Sequence, residues 1–290
     1  MSEFQLYRFK AIDRPLTEAE KKEVRSWSSR AEVTSTSATF VYHYGDFRKN
    51  EEKVVEDYFD AMLYVTNWGT QRLLFRFPLD AFDKRTIEQY VVIAETGYTT
   101  HLDVQKKANC WLLDFYWSDD EGDGWPEEED YQLEDFLSIR NQILRGDYRA
   151  LYLFWLHLAS YPYKHEIDDE LEDFEDEDYE RNPPPVPSNL NRLTGDLQNF
   201  VNFFGIDKNL ISAAAEYSKV KKEKAITYEQ LIGQLPENER IDYLVRLAKG
   251  EANLDVQLNR RLRDISVKTK ASCDENRPAI SEIFQKSKGR

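Results

Sequence analysis

The stretch from Ala150 to Ala159 reads ALYLFWLHLA and is the longest strongly apolar run in the 290-residue chain. A helix needs roughly 20 apolar residues to cross a membrane, so this shorter run predicts a buried helix. Within the longer segment Asp147–Ser160, apolar side chains occur almost all round the helix, and such a helix needs cover on most sides. We therefore expect the parts of the chain before and after it to share a core.

The first 117 residues predict at least five strands and about three helices. Phe4–Ile12 and Ala38–Tyr44 are rich in aromatic and β-branched residues, as strands are. Thr17 followed by Glu20 matches the capping-box pattern at the start of a helix, and Gly69 lies in a segment that predicts a hairpin turn. The expected fold class is α+β, with a mixed, mainly antiparallel sheet and helices, followed by an α-helical C-terminal region.

Beyond residue 189 the pattern predicts four helices, and then a fifth that carries several arginines. The residues before them combine acidic side chains with a proline run, which predicts an extended linker. Residues 267–290 lack a helical or strand period, so we expect a mobile tail. The predicted units are an α+β domain with an acidic loop at 118–130 and two closing helices, then the linker, a helical region and the tail, at 1–162, 163–188, 189–266 and 267–290.

Charge and cysteine content narrow the function classes. The net charge is −15. Residues 218–290 carry 16 basic and 11 acidic side chains, so the acidic excess lies in residues 1–217. A strongly acidic body repels phosphate, which disfavours direct nucleic-acid binding. Two cysteines make no disulfide framework, and the first residues do not match a signal peptide. We expect a cytoplasmic protein that uses no membrane and no cofactor.

The segment Trp117–Asp130, WSDDEGDGWPEEED, is acidic at eight of its fourteen positions. Its acids and Gly124 approximate the spacing of a calcium-binding EF-hand loop. Pro126 and the strand-like residues before the segment argue against that site, so a solvated loop and a weak divalent-cation site, such as one for Ca or Mg, both stay open. The candidate metal ligands are Asp119, Glu121, Asp123 and Asp130.

A second acidic segment, Glu166–Glu180, has eleven acidic residues with a few apolar ones between them. Such a segment can order on a basic partner, although a charged, solubilising linker explains the same composition. We expect both acidic segments to dock a basic protein. The candidate partner-binding residues are Trp125, Glu127, Glu128, Asp168, Asp169, Glu172, Phe174, Asp176 and Tyr179.

No familiar catalytic arrangement stands out in the sequence. It has no nucleophile elbow, no cysteine with a nearby histidine and no phosphate-binding glycine loop. Asp103, Gln105 and Lys107 have a spacing found in metal-dependent nucleases, but no suitable partner segment precedes them. We therefore expect a non-enzymatic protein–protein interaction module and can assign no catalytic residue. The alternative is a divalent-metal-binding protein or a metal-dependent hydrolase or nuclease.

Several segments along the whole chain carry a resemblance to known sequences. They are AIDRPLT at 11–17, YGDF at 44–47, YFDAMLYVTNWGT at 58–70, the Trp-rich acidic loop, LRGDYRALYLFWL at 144–156, IDKNLISAAAE at 206–216 and LPENERIDYLVRLAKGE at 235–251. In these segments the chain resembles a family of bacterial cytoplasmic proteins of unknown function. The resemblance implies one architecture with acidic loops as typical features, and it brings no activity, cofactor or catalytic residue.

Overall fold

The computed structural model of the protein describes residues 3–79, 81–95, 99–118, 131–164, 182–220, 227–251 and 276–290, together with residues 254, 257–258, 261–262 and 265. Within these residues the chain forms an α+β fold, which confirms the predicted class. None of the helices in the described ranges is both long and apolar enough to span a bilayer.

The sheet has eight strands in the order β2-β3-β1-β4-β5-β8-β7-β6, and every neighbouring pair is antiparallel. The predicted turn between β4 and β5 is present, and Gly69 takes the positive φ of 92° that a side chain would resist. The strands are β1 Gln5–Lys10, β2 Glu32–Val33, β3 Ser37–Tyr42, β4 Ala61–Thr66, β5 Thr70–Pro78, β6 Val92–Glu95, β7 Thr99–Lys106 and β8 Cys110–Ser118.

Helices lie between the strands and follow them along the chain. The predicted capping box at the first helix is confirmed, because Thr17 Oγ1 accepts from the Glu20 amide and the Glu20 carboxylate accepts from the Thr17 amide. The helices are α1 Glu18–Ser26, α2 Glu51–Tyr58, α3 Lys84–Glu88, α4 Leu137–Leu144, α5 Arg149–Ala159, α6 Tyr161–Lys164, α7 Gly195–Phe203, α8 Lys208–Ala215, α9 Tyr228–Gln234, α10 Glu237–Ala248 and α11 Ile280–Ser287.

Apolar side chains cover both faces of the sheet. On one face the sheet residues Phe9, Met62 and Leu74 pack with Val24 of α1 and Val55 of α2. On the other face a larger cluster joins the sheet to α4, α5, α7, α8 and α11. The fold is therefore three-layered, with two helices on one side of the sheet and most of the later helices on the other.

Helix α5 lies at the centre of the larger cluster, and all of its residues are buried. Phe154 illustrates its position, because its ring is 5.4 Å from Phe115 of β8 and 4.6 Å from Phe204 after α7. The sheet thus covers α5 on one side and later helices cover it on another. This arrangement explains how a helix without a polar face is accommodated in a protein that is otherwise rich in charge.

The C-terminal residues are ordered, in contrast to the predicted mobile tail. Ile280, Ile283 and Phe284 of α11 are buried in the larger cluster, and α11 packs against α8. The prediction is therefore wrong for residues 276–290. These three residues have the i, i+3, i+4 spacing of one helix face, but a stripe of only two turns among polar neighbours is a weak signal in a sequence.

A buried guanidinium joins the first loop to α4 and the sheet. Arg140 is completely buried, and its Nε donates to the Arg76 carbonyl at 2.8 Å. Its NH2 donates to the Asp13 carboxylate at 2.8 Å. Asp60 accepts from the backbone amides of Ile12 and Asp13 at 2.7 and 2.8 Å and from Arg76 NH1 at 3.0 Å. These bonds tie the AIDRPLT segment to strands β4 and β5.

We predict that Arg140→Met lowers the free energy of unfolding by about 3–5 kcal/mol, because it leaves the Asp13 carboxylate without its buried partner. Urea denaturation followed by circular dichroism measures the change. Arg145→Met, at the exposed C-terminal end of the same helix, is the control and should change stability by no more than about 0.5 kcal/mol. Equal effects of the two substitutions would contradict a special role for Arg140.

Candidate functional site

A row of polar and aromatic side chains crosses five adjacent strands on the face that α2 partly covers. Residues that pair directly across antiparallel strands point to the same face, and the register makes Tyr7, Tyr64, Arg72, Tyr116 and His101 successive partners. We call these five residues the polar row. The polar row interrupts an apolar surface, because the neighbouring positions on this face toward α1 carry apolar side chains.

A buried ion pair is the centre of the polar row. Arg72 donates to Asp114 from Nε at 2.9 Å and from NH2 at 2.6 Å, and the Asp114 side chain is 3% exposed. Arg72 NH1 also donates to Glu51 in the first turn of α2. Burial alone raises the pKa of Asp114, but the hydrogen bond from His101 and the charge of Arg72 outweigh it and lower that pKa. Asp114 is thus held as a carboxylate.

His101 extends the pair toward solvent. Its Nε2 lies 3.2 Å from Asp114 Oδ2, and its ring stacks on Tyr116 with 5.2 Å between centroids and 7° between planes. A carboxylate that orients a partly exposed imidazole is an arrangement used for proton transfer. Here, however, Arg72 already shares that carboxylate, and this sharing is what a structural ion-pair network also shows.

The other end of the polar row is a hydrogen-bonded aromatic pair. Tyr7 and Tyr64 stack with 4.3 Å between centroids, and both hydroxyls donate to Gln5 Oε1, at 2.9 and 3.3 Å. Burial raises the pKa of both tyrosines. Burial also raises the pKa of Glu51 against the opposing charge of Arg72. The hydroxyls therefore remain protonated donors, which suits a structural role.

The residues with nuclease-like spacing lie next to the polar row but are otherwise engaged. Lys107 Nζ contacts Glu52 Oε2 at 2.8 Å and Gln105 Oε1 at 2.7 Å. Asp103 is directly opposite Asp114 in the β7–β8 register. Asp114 was not among the residues singled out from the sequence, although one acid inside the apolar run WLLDFYW was a usable signal. Because Arg72 neutralises it, the two aspartates do not form an open carboxylate pair.

The predicted metal and partner residues fall outside the described ranges. This applies to the candidate ligands in the first acidic segment and to all nine candidate partner-binding residues, so these predictions stay predictions. Among the residues that the structure describes, no group of three or more His, Cys, Asp or Glu side chains could hold a metal ion. The residues concerned are Asp119, Glu121, Asp123, Asp130, Trp125, Glu127, Glu128, Asp168, Asp169, Glu172, Phe174, Asp176 and Tyr179.

The described residues that lead into the two acidic segments are neighbours. Trp117 at the end of β8 stands two positions before Asp119, and Tyr161 in α6 stands five positions before Glu166. Their ring centroids are 5.8 Å apart. Trp117 also packs on His157 of α5, with 4.3 Å between centroids. Described residues shortly before each acidic segment are therefore in contact with one another.

His157 is a polar residue of α5 whose side chain is buried. Neither ring nitrogen has a hydrogen-bond partner within the described part of the chain. Burial, with a smaller contribution from Lys164, lowers the pKa of His157 from its ordinary 6.5 to about 3. The imidazole is therefore neutral at physiological pH and packs as an aromatic ring beneath Trp117.

In comparisons with known proteins, the chain matches no family model, no curated protein and no solved structure. The resemblance to a bacterial family accordingly stays a prediction.

We predict that His157→Phe stabilises the protein by about 1–3 kcal/mol at pH 7.5, because it removes two buried nitrogens that lack partners. The substitution should also remove the contribution of His157 to the pH dependence of wild-type stability. Between pH 6.5 and 3 the unfolded wild-type chain binds a proton at His157, whereas the folded chain does not. As the pH falls below 6.5, the free energy of unfolding of the wild type therefore decreases by roughly 1.4 kcal/mol per pH unit through this residue. Urea denaturation from pH 7.5 to 4 measures both effects.

The control for this prediction is His43→Phe at an exposed position. Its stability should follow the wild-type pH profile in parallel. If the His157→Phe profile is also parallel to wild type, the buried imidazole does not titrate as described.

Proposed function

We propose that the protein is a non-enzymatic, cytoplasmic interaction module that docks a basic partner protein through its two acidic segments, Trp117–Asp130 and Glu166–Glu180. The observation that carries the proposal is the contact between Trp117 and Tyr161. This contact joins Trp117, two positions before Asp119, to Tyr161, five positions before Glu166, although the two residues are far apart in sequence.

The negative charge of the two acidic segments is the basis for attraction of a basic partner. The two segments have eight and eleven acidic residues. Fields from like charges add over distances of about one Debye length, roughly 8 Å at physiological salt. Because Trp117 and Tyr161, which precede the two segments, are in contact, we propose that both segments act on one partner together and speed its association more than either segment would alone. A partner with a clustered excess of Lys and Arg fits this field.

The non-enzymatic part of the proposal is supported by the polar row. Asp114, which lies beside the row, is shared by Arg72 and His101, and Tyr7 and Tyr64 both donate to Gln5. These contacts satisfy the groups with each other. A site that binds substrate keeps some of its polar groups available for that substrate.

We predict that neutralising part of the second acidic segment weakens binding of a basic probe by about tenfold or more at low salt, as expected when several complementary charges are lost. The variant carries Asp168→Asn, Asp169→Asn, Glu172→Gln and Asp176→Asn. The probe is a fluorescein-labelled lysine-rich peptide, and fluorescence anisotropy at low and high salt measures its affinity.

The matched control neutralises four exposed acids on the body, with Glu18→Gln, Glu23→Gln, Glu32→Gln and Asp57→Asn. This control removes the same number of negative charges from a different part of the protein. If docking is local, it should weaken binding of the probe by less than about threefold. Equal losses in the two variants would show that only net charge matters and would refute docking through the segment. Affinity capture from a nuclease-treated lysate with both variants then identifies the natural partner.

The metal alternative has a separate readout. A divalent ion that binds the native state must raise its stability. Thermal denaturation with millimolar Ca²⁺, Mg²⁺ or Mn²⁺ would therefore show a higher midpoint for a metal protein, and the midpoint should return toward the metal-free value in a variant with Asp119→Asn and Asp123→Asn. An unchanged midpoint with all three ions is the result expected for the interaction module.

A further inference from the structure

Helix α10 presents an apolar stripe to solvent. None of its residues is buried. Ile241, Leu244, Val245 and Leu247 are 53%, 65%, 43% and 64% exposed. The first three have the i, i+3, i+4 spacing of one helix face. We call these four residues the α10 stripe. Single exposed apolar residues are ordinary, but a contiguous group on one helix indicates an interface.

The polar side of α10 faces the rest of the chain, which is the reverse of an ordinary surface helix. Glu239 accepts from Arg261 at 2.8 Å. Arg246 donates to Glu251 at 2.7 Å and lies over the Tyr243 ring at 5.5 Å. Ion pairs thus hold this side of α10 in place, and the apolar side remains uncovered. Exposure of these apolar side chains to water is unfavourable in a monomer, and their burial against another apolar surface lowers the free energy.

The preceding helix widens the exposed apolar area. Leu231 of α9 and Leu235, its C-cap residue, are buried with Leu262 in a small cluster of their own. Tyr228 and Ile232 of the same helix are 61% and 38% exposed and stand one turn apart. Helices α9 and α10 together therefore carry apolar residues on a side exposed to solvent, in addition to those buried in the small cluster.

We propose that the α10 stripe pairs with the same stripe of a second copy of this chain, with the two helices antiparallel. Glu237 lies in the first turn of α10, and Lys249 is its C-cap. Antiparallel pairing brings Glu237 of one copy beside Lys249 of the other, at both ends of the contact. It also places the two helix dipoles antiparallel, with the N-terminus of each helix beside the C-terminus of the other. In the part of the chain that the structure describes, neither of these two side chains has an ion pair within its own copy.

Local charge favours a second copy at this position. Residues 237–251 carry four acidic and three basic side chains, whereas the whole chain has a net charge of −15. Two copies that meet through α10 therefore do so where the local net charge is close to zero. A two-fold pair also needs only one kind of surface on each molecule. This inference is independent of the proposed docking of a basic partner.

Sedimentation equilibrium of the intact protein tests the proposal. The chain mass is 34.3 kDa, and we expect wild type to reach twice this mass as its concentration rises. Leu244→Glu, at the centre of the stripe, should raise the dimer dissociation constant by about a hundredfold or more, as loss of a central apolar contact does. Leu79→Glu, at a leucine 42% exposed elsewhere, is the matched control and should leave the constant unchanged.

A charge reversal tests the antiparallel geometry. Glu237→Lys and Lys249→Glu should each weaken the dimer, and the double variant should restore it, because the opposite charges meet again. Circular dichroism confirms that each variant is folded. A monomer at all concentrations, a dimer unaffected by Leu244→Glu, or a stripe that binds a different protein while this chain stays monomeric would each overturn the proposal.

Discussion

The absence of a polar face on α5 is the constraint on which the rest of the architecture depends. A helix buried along its whole length cannot lie at a surface, so it needs neighbours in several directions. The sheet supplies one of them through Phe115, and α7 and α8 supply others. This requirement joins the two halves of the chain into one core. It also explains why buried ion pairs such as Arg140 with Asp13 are tolerated, since they connect layers that apolar packing already fixes.

Much of the fold could be predicted from the sequence. The α+β class, the capping box at Thr17, the turn at Gly69 and the buried helix all follow from local patterns, and the structure confirms them. Three features were missed. Strands β2 and β6 have only two and four residues, which is too short for a period to be recognised. Helix α11 was taken for a tail because its stability comes from contact with α8, and that contact is not visible in a local window.

The site was much less predictable than the fold. The polar row consists of residues that are spread between positions 7 and 116 and that meet only through strand register. No regular spacing in the sequence indicates that these residues lie side by side in the sheet. The acidic segments, by contrast, are obvious in composition, but composition does not say that residues before the two segments are in contact. That contact is made by Trp117 and Tyr161, two aromatic residues that the sequence alone marks only as apolar.

The position of α11 has a consequence for how the protein is made. Ile283 and Phe284 belong to the same core as Phe4 and Leu6, so the first and last parts of the chain meet in one cluster. The N-terminal strands are therefore synthesised long before their packing partners in α11. Contacts of such long sequence separation slow folding and prolong the exposure of apolar surface.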